Sequence, residues 1–203
     1  MKISDFIPAE VLAHFKTHDP LMYQMAIQMT VPIGPRIKED LFLDICETII
    51  GQQLSNKVAD VLCTRFREYY ENKVRPEKVL ATPHETLRAM GLSNAKANYI
   101  LGIAQAVVDK QLDLLTIATL ENEAFITELT KLKGIGPWTA EMMLMFSLGR
   151  PDVFSTGDLG LKKGIMKIYS LDEVTIEDML MLSEKWKPYR TYASQILWKS
   201  LEL

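Results

Sequence analysis

Cysteine is scarce here, with only Cys46 and Cys63 in 203 residues. Two thiols cannot furnish a four-cysteine zinc or iron–sulfur site, and they leave no room for a disulfide framework. They are expected reduced and within helices, as in an intracellular protein. The three histidines, His14, His18 and His84, show no metal-ligand spacing. No run of 18 apolar residues occurs, and the opening MKISDFIPAE lacks an apolar core, so neither a membrane span nor an export signal is expected. An excess of positive charge is missing too. Lys and Arg number 23 against 26 Asp and Glu, a net charge of −3, which excludes nucleic-acid binding through bulk charge. Alternating strands, internal repeats and low-complexity segments are also lacking.

What the chain does have is apolar residues at helical spacing, 48% apolar overall. A chain of this size buries roughly 70% of its unfolded surface without a covalent staple. Leu41, Ile45, Ile49 and Ile50 form one stripe, and Val58, Val61, Leu62, Phe66 and Tyr69 a second. Between them Gly51-Gln52-Gln53-Leu54-Ser55 breaks the period, with Ser55 placed to cap the second helix. Further helices are predicted at 9–16, 20–29, 84–90, 94–109, 122–131, 138–147, 159–169, 175–185 and 189–201. Only Asp152-Val153-Phe154-Ser155 reads as extended. The fold class is all-α with short connections. Met142, Met143 and Met145 read as adaptable core filler.

Two segments carry chemistry. Leu132-Lys133-Gly134-Ile135-Gly136-Pro137-Trp138-Thr139-Ala140 places two glycines between two helices. Glycine there permits φ > 0 and close approach to the backbone. The amides opening the next helix can then hold an anion, while Pro137 suits a first turn that needs no N–H. Such a helix–hairpin–helix grips a DNA phosphate without reading sequence; the alternative is an ordinary αα-hairpin. Twenty residues beyond Trp138, Asp158 stands at a helix start. It reads as an N-cap and also as a carboxylate able to stabilise positive charge on a deoxyribose or to orient water.

The run LKGIGPWTA with Asp158 beyond it resembles the helix–hairpin–helix–Gly/Pro–Asp superfamily of DNA base-excision glycosylases. Ile49–Ser55, Gly91-Leu92-Ser93 with Lys96, and Trp186-Lys187-Pro188-Tyr189-Arg190 through Trp198 are similar to its 3-methyladenine DNA glycosylase II branch. The resemblance spreads over about residues 40–200. It implies one glycosylase module over 1–203, built as two helical subdomains flanking a DNA-binding cleft. One subdomain is a helical barrel over 37–150 with the hairpin; the other joins 1–36 to 151–203 and carries Asp158.

The resemblance also implies roles. Asp158 falls on the catalytic aspartate. Trp138, Met142 and Trp198 fall on the base pocket, Met142 where a tyrosine stands in one bacterial relative. Gln53 matches the wedge that enters the duplex, though it reads equally as a helix-end cap. Gly134, Gly136, Thr139, Lys133, Ser55 and Lys96 are candidates for DNA phosphate, the lysines equally for solvated surface. The backbone carbonyls of Leu132 and Gly134 are candidates for a structural Na+ or K+; no other cofactor is expected. Lyase-competent relatives carry a lysine where Trp138 stands, so water rather than a Schiff-base amine is the expected nucleophile.

The expected activity is release of alkylated purines from double-stranded DNA, leaving an abasic site. The alternative is a non-catalytic DNA-binding module that senses damage. A monomer with no membrane association is expected, in the cytoplasm, or on the nucleoid if bacterial. The charge is unevenly divided. Residues 1–130 hold 13 Lys and Arg against 17 Asp and Glu, whereas 131–203 hold 10 against 9. The half with the hairpin and Asp158 is therefore nearly neutral, so few phosphate contacts and a shallow salt dependence are expected.

Overall fold

Residues 6–38 and 40–203 are described by the structure, a computed structural model; Met1–Asp5 of the opening stretch read above lie outside them. Helices follow one another as α1 (Ala9–His18), α2 (Pro20–Ala26), α3 (Leu41–Gly51), α4 (Asn56–Tyr69), α5 (Pro76–Leu80), α6 (His84–Ala89) and α7 (Asn94–Val108). After these come α8 (Leu114–Thr119), α9 (Asn122–Leu129), α10 (Pro137–Phe146), α11 (Leu159–Tyr169), α12 (Ile176–Glu184) and α13 (Arg190–Ser200). The all-α expectation holds. Among the described residues there is no strand, only an isolated bridge between Ile37 and Leu148. No described helix is long and apolar enough to cross a membrane.

The chain divides into two compact units, Met1–Ile37 with Leu144–Leu203, and Lys38–Met143. The division falls within α10. In the first unit, apolar faces of α1, α2, α11, α12 and α13 enclose Val11, Phe15, Met22, Leu161, Ile165, Trp186, Ile196 and Leu197. Local chemistry sets the helix starts. Asp19 caps α2 through Oδ1, which accepts the Met22 N–H at 3.1 Å, and Pro20 follows at the first position. The Asp19 Oδ2 accepts from the Trp186 indole at 2.8 Å and from the Tyr169 hydroxyl, so this buried carboxylate ties three segments together and each of its oxygens has a partner. Thr175 and Asp178 form a reciprocal capping box at the start of α12.

Residues 152–155, read as extended, form a pinned connection outside any helix. The Val153 N–H donates to Thr191 Oγ1 at 3.1 Å, and Thr191 Oγ1 donates to the Arg150 carbonyl at 2.7 Å. Asp152 receives Arg190 at two points, Nε to Oδ1 at 2.7 Å and one terminal nitrogen to Oδ2 at 3.0 Å. A paired guanidinium fork of this kind fixes direction as well as position. The segment leading to Asp158 is thereby fastened to the start of α13.

The second unit packs α3 and α4 together, and sets α7 against α3, α5 and α6. Ile45, Ile49, Ile50, Phe66, Leu87, Ile100, Ala104, Phe125 and Leu129 fill its interior. Cys46 on α3 and Cys63 on α4 are free thiols and buried. The short helices α5 and α8 were not foreseen. Pro76 opens one, and Asp113 caps the other through the Leu115 and Thr116 amides.

Candidate functional site

In the second unit the chain leaves α9, turns through residues 130–136 and enters α10 at Pro137. Gly134 takes φ +95, and a Cβ there would lie 2.4 Å from Cδ2 of Tyr99. Glycine is required on both counts. Gly136 differs from the expectation of a positive φ at both glycines: it has none, and a Cβ would meet nothing within 4 Å. The fold does not need glycine at 136, and the space beside its backbone is open. The Ala140 N–H donates to the Gly136 carbonyl at 3.1 Å, which starts α10 at the hairpin, and the positive end of a helix dipole favours an anion. Thr139 is buried there, Trp138 is 49% exposed, and Lys133 is exposed. A cavity of about 500 Å³ beside the hairpin is lined by Asn98, Tyr99, Gly102, Lys131, Leu132 and Lys133.

The loop between α3 and α4 belongs to the same unit. Gln53 is exposed with φ +58, and Ser55 is exposed at the α4 start, where its side chain makes no capping bond. Gln52 Nε2 donates to the Gly134 carbonyl at 2.8 Å. Lys96, a candidate for DNA phosphate, reaches this loop from α7. Its Nζ turns inward and donates to the Ile50 and Gln52 carbonyls at 2.8 and 2.7 Å. Burial lowers its pKa below the ordinary lysine value. The two carbonyls considered for Na+ or K+ are already acceptors, Gly134 from Gln52 and Leu132 from the Ile135 N–H at 3.2 Å.

In the first unit Asp158 is the N-cap of α11 and only 8% exposed. Its Oδ1 accepts the Leu161 N–H at 2.8 Å and the Trp198 indole N–H at 3.0 Å. A Cβ at Gly160 would stand 2.9 Å from Trp198 Cδ1 and 3.0 Å from Asp158 Oδ1. The absent side chain is what lets the indole lie over the first turn of α11. Trp198 also lines a cavity of about 300 Å³ with Ile33, Arg36, Phe146 and Gln195. The Phe146 ring is 6.1 Å from the indole, tilted by 35°. The Gln195 side chain is committed to Gly34, accepting its N–H at 2.9 Å and donating to its carbonyl at 2.7 Å.

Of the expected pocket residues, Asp158 and Trp198 meet in the first unit, while Trp138 and Met142, on the opening turns of α10, belong to the second. Sequence reasoning missed Gly160 and Phe146. Gly160 offered a weak signal, a glycine two residues after a capping aspartate inside a helical pattern. Trp186 is an anchor, fully buried with its indole on Asp19.

Comparison with known proteins adds an independent line. The pattern of the HhH-GPD superfamily of base excision DNA repair proteins matches residues 46–188. The Bacillus subtilis protein YfjP is 36% identical over 162 residues, which span 76% of this chain and 56% of that one; the chain thus covers little more than half of that relative's length. A DNA-3-methyladenine glycosidase from Bacillus halodurans superposes with a TM-score of 0.82 at 34% identity, over 96% of this chain and 89% of the other. The Schizosaccharomyces pombe 3-methyladenine DNA glycosylase Mag1, solved in complex with abasic DNA, gives 0.80 at 29% identity, over 96% and 98%.

Proposed function

The chain belongs to the HhH-GPD superfamily of base excision DNA repair proteins, and we propose that it is a monofunctional glycosylase that hydrolyses alkylated purines of the 3-methyladenine type from double-stranded DNA. The observation that carries this reading is the Asp158–Trp198 pair, a buried carboxylate oriented by an indole and a helix N-terminus. The hairpin's open backbone edge at Gly136 supports it from the DNA side, as do the names of the two glycosylases of similar structure.

Alkylation at purine N3 or N7 puts positive charge on the base and weakens its bond to deoxyribose. The nucleotide must first leave the stack, at a cost of a few kcal/mol. Trp198 and Phe146 offer aromatic surface, and stacking returns about 1–3 kcal/mol per base, with electron-rich indole favouring a cationic ring. As the base departs, charge develops on the sugar, and Asp158 stabilises it electrostatically. The bonds on Oδ1 hold the carboxylate in one orientation, so little reorganisation is needed at that moment. Trp138 stands where an amine would be needed for strand cleavage, so water adds to the sugar carbon, a proton is released, and free base and abasic site result. Backbone amides hold the strand, which agrees with the net charge of −3, and the protein acts as a monomer.

The test is base release from duplex DNA carrying methylated purines, by the natural protein and by Asp158→Asn. Release by the first and not the second is expected. Equal release removes the catalytic role of Asp158, and binding without release by either leaves a DNA-binding module instead. Borohydride trapping of a covalent adduct would contradict the water mechanism.

A further inference from the structure

Gln53 holds a left-handed backbone conformation, φ +58, at the centre of the exposed loop between α3 and α4. A residue with a β-carbon is disfavoured there and persists only where its surroundings hold it. The holds are specific. From α7, Lys96 Nζ reaches two carbonyls at the end of α3, Ile50 and Gln52. These are carbonyls that the helix leaves without an internal partner. From within the loop, the Gln52 amide crosses to the Gly134 carbonyl of the hairpin. Gly134 in turn lies against the ring of Tyr99, three residues beyond Lys96 on the same face of α7. The Ser93 hydroxyl accepts the Lys96 N–H at 3.2 Å and fixes the start of that helix. One face of α7 therefore carries both the loop and the hairpin.

We propose that Lys96 and Gln52 are positioning residues that lock the Gln53 loop to the phosphate-binding hairpin, so that gripping a DNA phosphate and opening the duplex are a single mechanical act. The inference rests on the glycosylase reading. An intruding side chain must push against stacked bases, and a loop free to swing would yield instead of the stack. The hairpin grips through backbone, so its position on the strand is fixed by geometry rather than by a flexible side chain. The Gln52–Gly134 bond passes that fixed position to the loop. None of these contacts touches the Asp158 pair, so the brace acts on opening and not on bond cleavage.

The experiment compares single-turnover base release from a methylated purine in full duplex and in single strand, where no stack has to be opened. Gln52→Ala is expected to lower the duplex rate about tenfold while changing the single-strand rate by less than about twofold. Equal falls on both substrates, or no fall on duplex, overturn the proposal. A 2-aminopurine placed beside the lesion reports unstacking without chemistry. If the natural protein unstacks the duplex but releases no base, the hydrolytic reading fails alone. In that case weaker unstacking by Gln52→Ala upholds the brace, and undiminished unstacking overturns it. If the natural protein neither unstacks nor releases, both readings fall. Melting curves check folding; should Gln52→Ala not fold, Lys96→Met removes the other hold, and its duplex-to-single-strand ratio decides, a lowered ratio upholding the brace and an unchanged one overturning it.

Discussion

The Trp198 indole N–H and the Leu161 backbone N–H converge on one oxygen, Oδ1 of Asp158, at 3.0 and 2.8 Å. One carboxylate thus starts a helix and is aimed by an aromatic ring 40 residues away in sequence. The two tasks can be separated by substitution. Asparagine caps a helix about as well as aspartate, whereas alanine costs about 1 kcal/mol. Asp158→Asn should therefore melt close to the natural protein while base release falls more than about a hundredfold. Asp158→Ala should lose release and stability together. Trp198→Phe keeps a ring without the donor, and single-turnover kinetics should show release slowed about tenfold.

Gly160→Ala is a sharper probe of the same geometry. Alanine normally stabilises a helix over glycine by about 1 kcal/mol. Here the added methyl would stand 2.9 Å from Trp198 Cδ1, so the indole must move. Calorimetry should find little or none of the usual gain in stability. Release should fall by about ten- to a hundredfold, the scale of an ångström's misplacement at a reacting centre.

The two hairpin glycines should respond oppositely. Gly134→Ala forces a side chain into φ +95 and onto Tyr99, and is expected to destabilise by more than about 2 kcal/mol. Gly136→Ala meets nothing in the protein, so its melting temperature should be unchanged within a degree or two (about 0.5 kcal/mol). Its affinity for duplex DNA should nevertheless drop about tenfold, because the methyl occupies the approach to the backbone amides. Fluorescence anisotropy at fixed salt separates these outcomes.

Burial, with Glu47 beside it, pushes the Cys63 thiol up to about 11 from an ordinary value of 9.0. Burial likewise raises Cys46, with Asp40, Glu47 and Asp44 adding to the effect. The sign follows from proton counting: above pH 9 an unfolded thiol gives up its proton while the folded one keeps it, so stability falls as pH rises. The contribution is whole below 9 and is lost as pH approaches 11 for Cys63. Melting temperatures of the natural protein and Cys63→Ala, taken across that window, should draw together as pH rises; a constant gap contradicts the account.

The parts legible in the sequence were those written in neighbouring residues. The stripes of α3 and α4, the glycine turn with Pro137, and Asp158 at a helix start are all local patterns. The helices α5 and α8, with five and six residues, each bury a single residue of their own, Val79 and Ile117, and so show no apolar stripe in sequence. Equally short, α6 was legible from the turns at Pro83 and Gly91 on either side. Residues 152–155 read as extended, and in the structure Val153 and Ser155 alternate in burial with their neighbours. That alternation comes from fastening to Arg190 and Thr191, a contact at a separation of 38 residues. Lys96 looked like a surface cation because nothing near it in sequence announces the carbonyls of Ile50 and Gln52. Gly160 acquires meaning only beside Trp198, and Phe146 only beside the same ring.

The double employment of Asp158 bears on how relatives of this chain are to be sorted. A copy that had lost its chemistry would still need a residue to start α11, and aspartate would go on serving. Persistence of the carboxylate is thus a record of folding as much as of catalysis. Glycine at the second position of α11 has no such excuse, since the helix itself would prefer almost any other residue. Gly160 therefore serves the indole of Trp198, 2.9 Å from where its Cβ would stand, and not the helix that contains it.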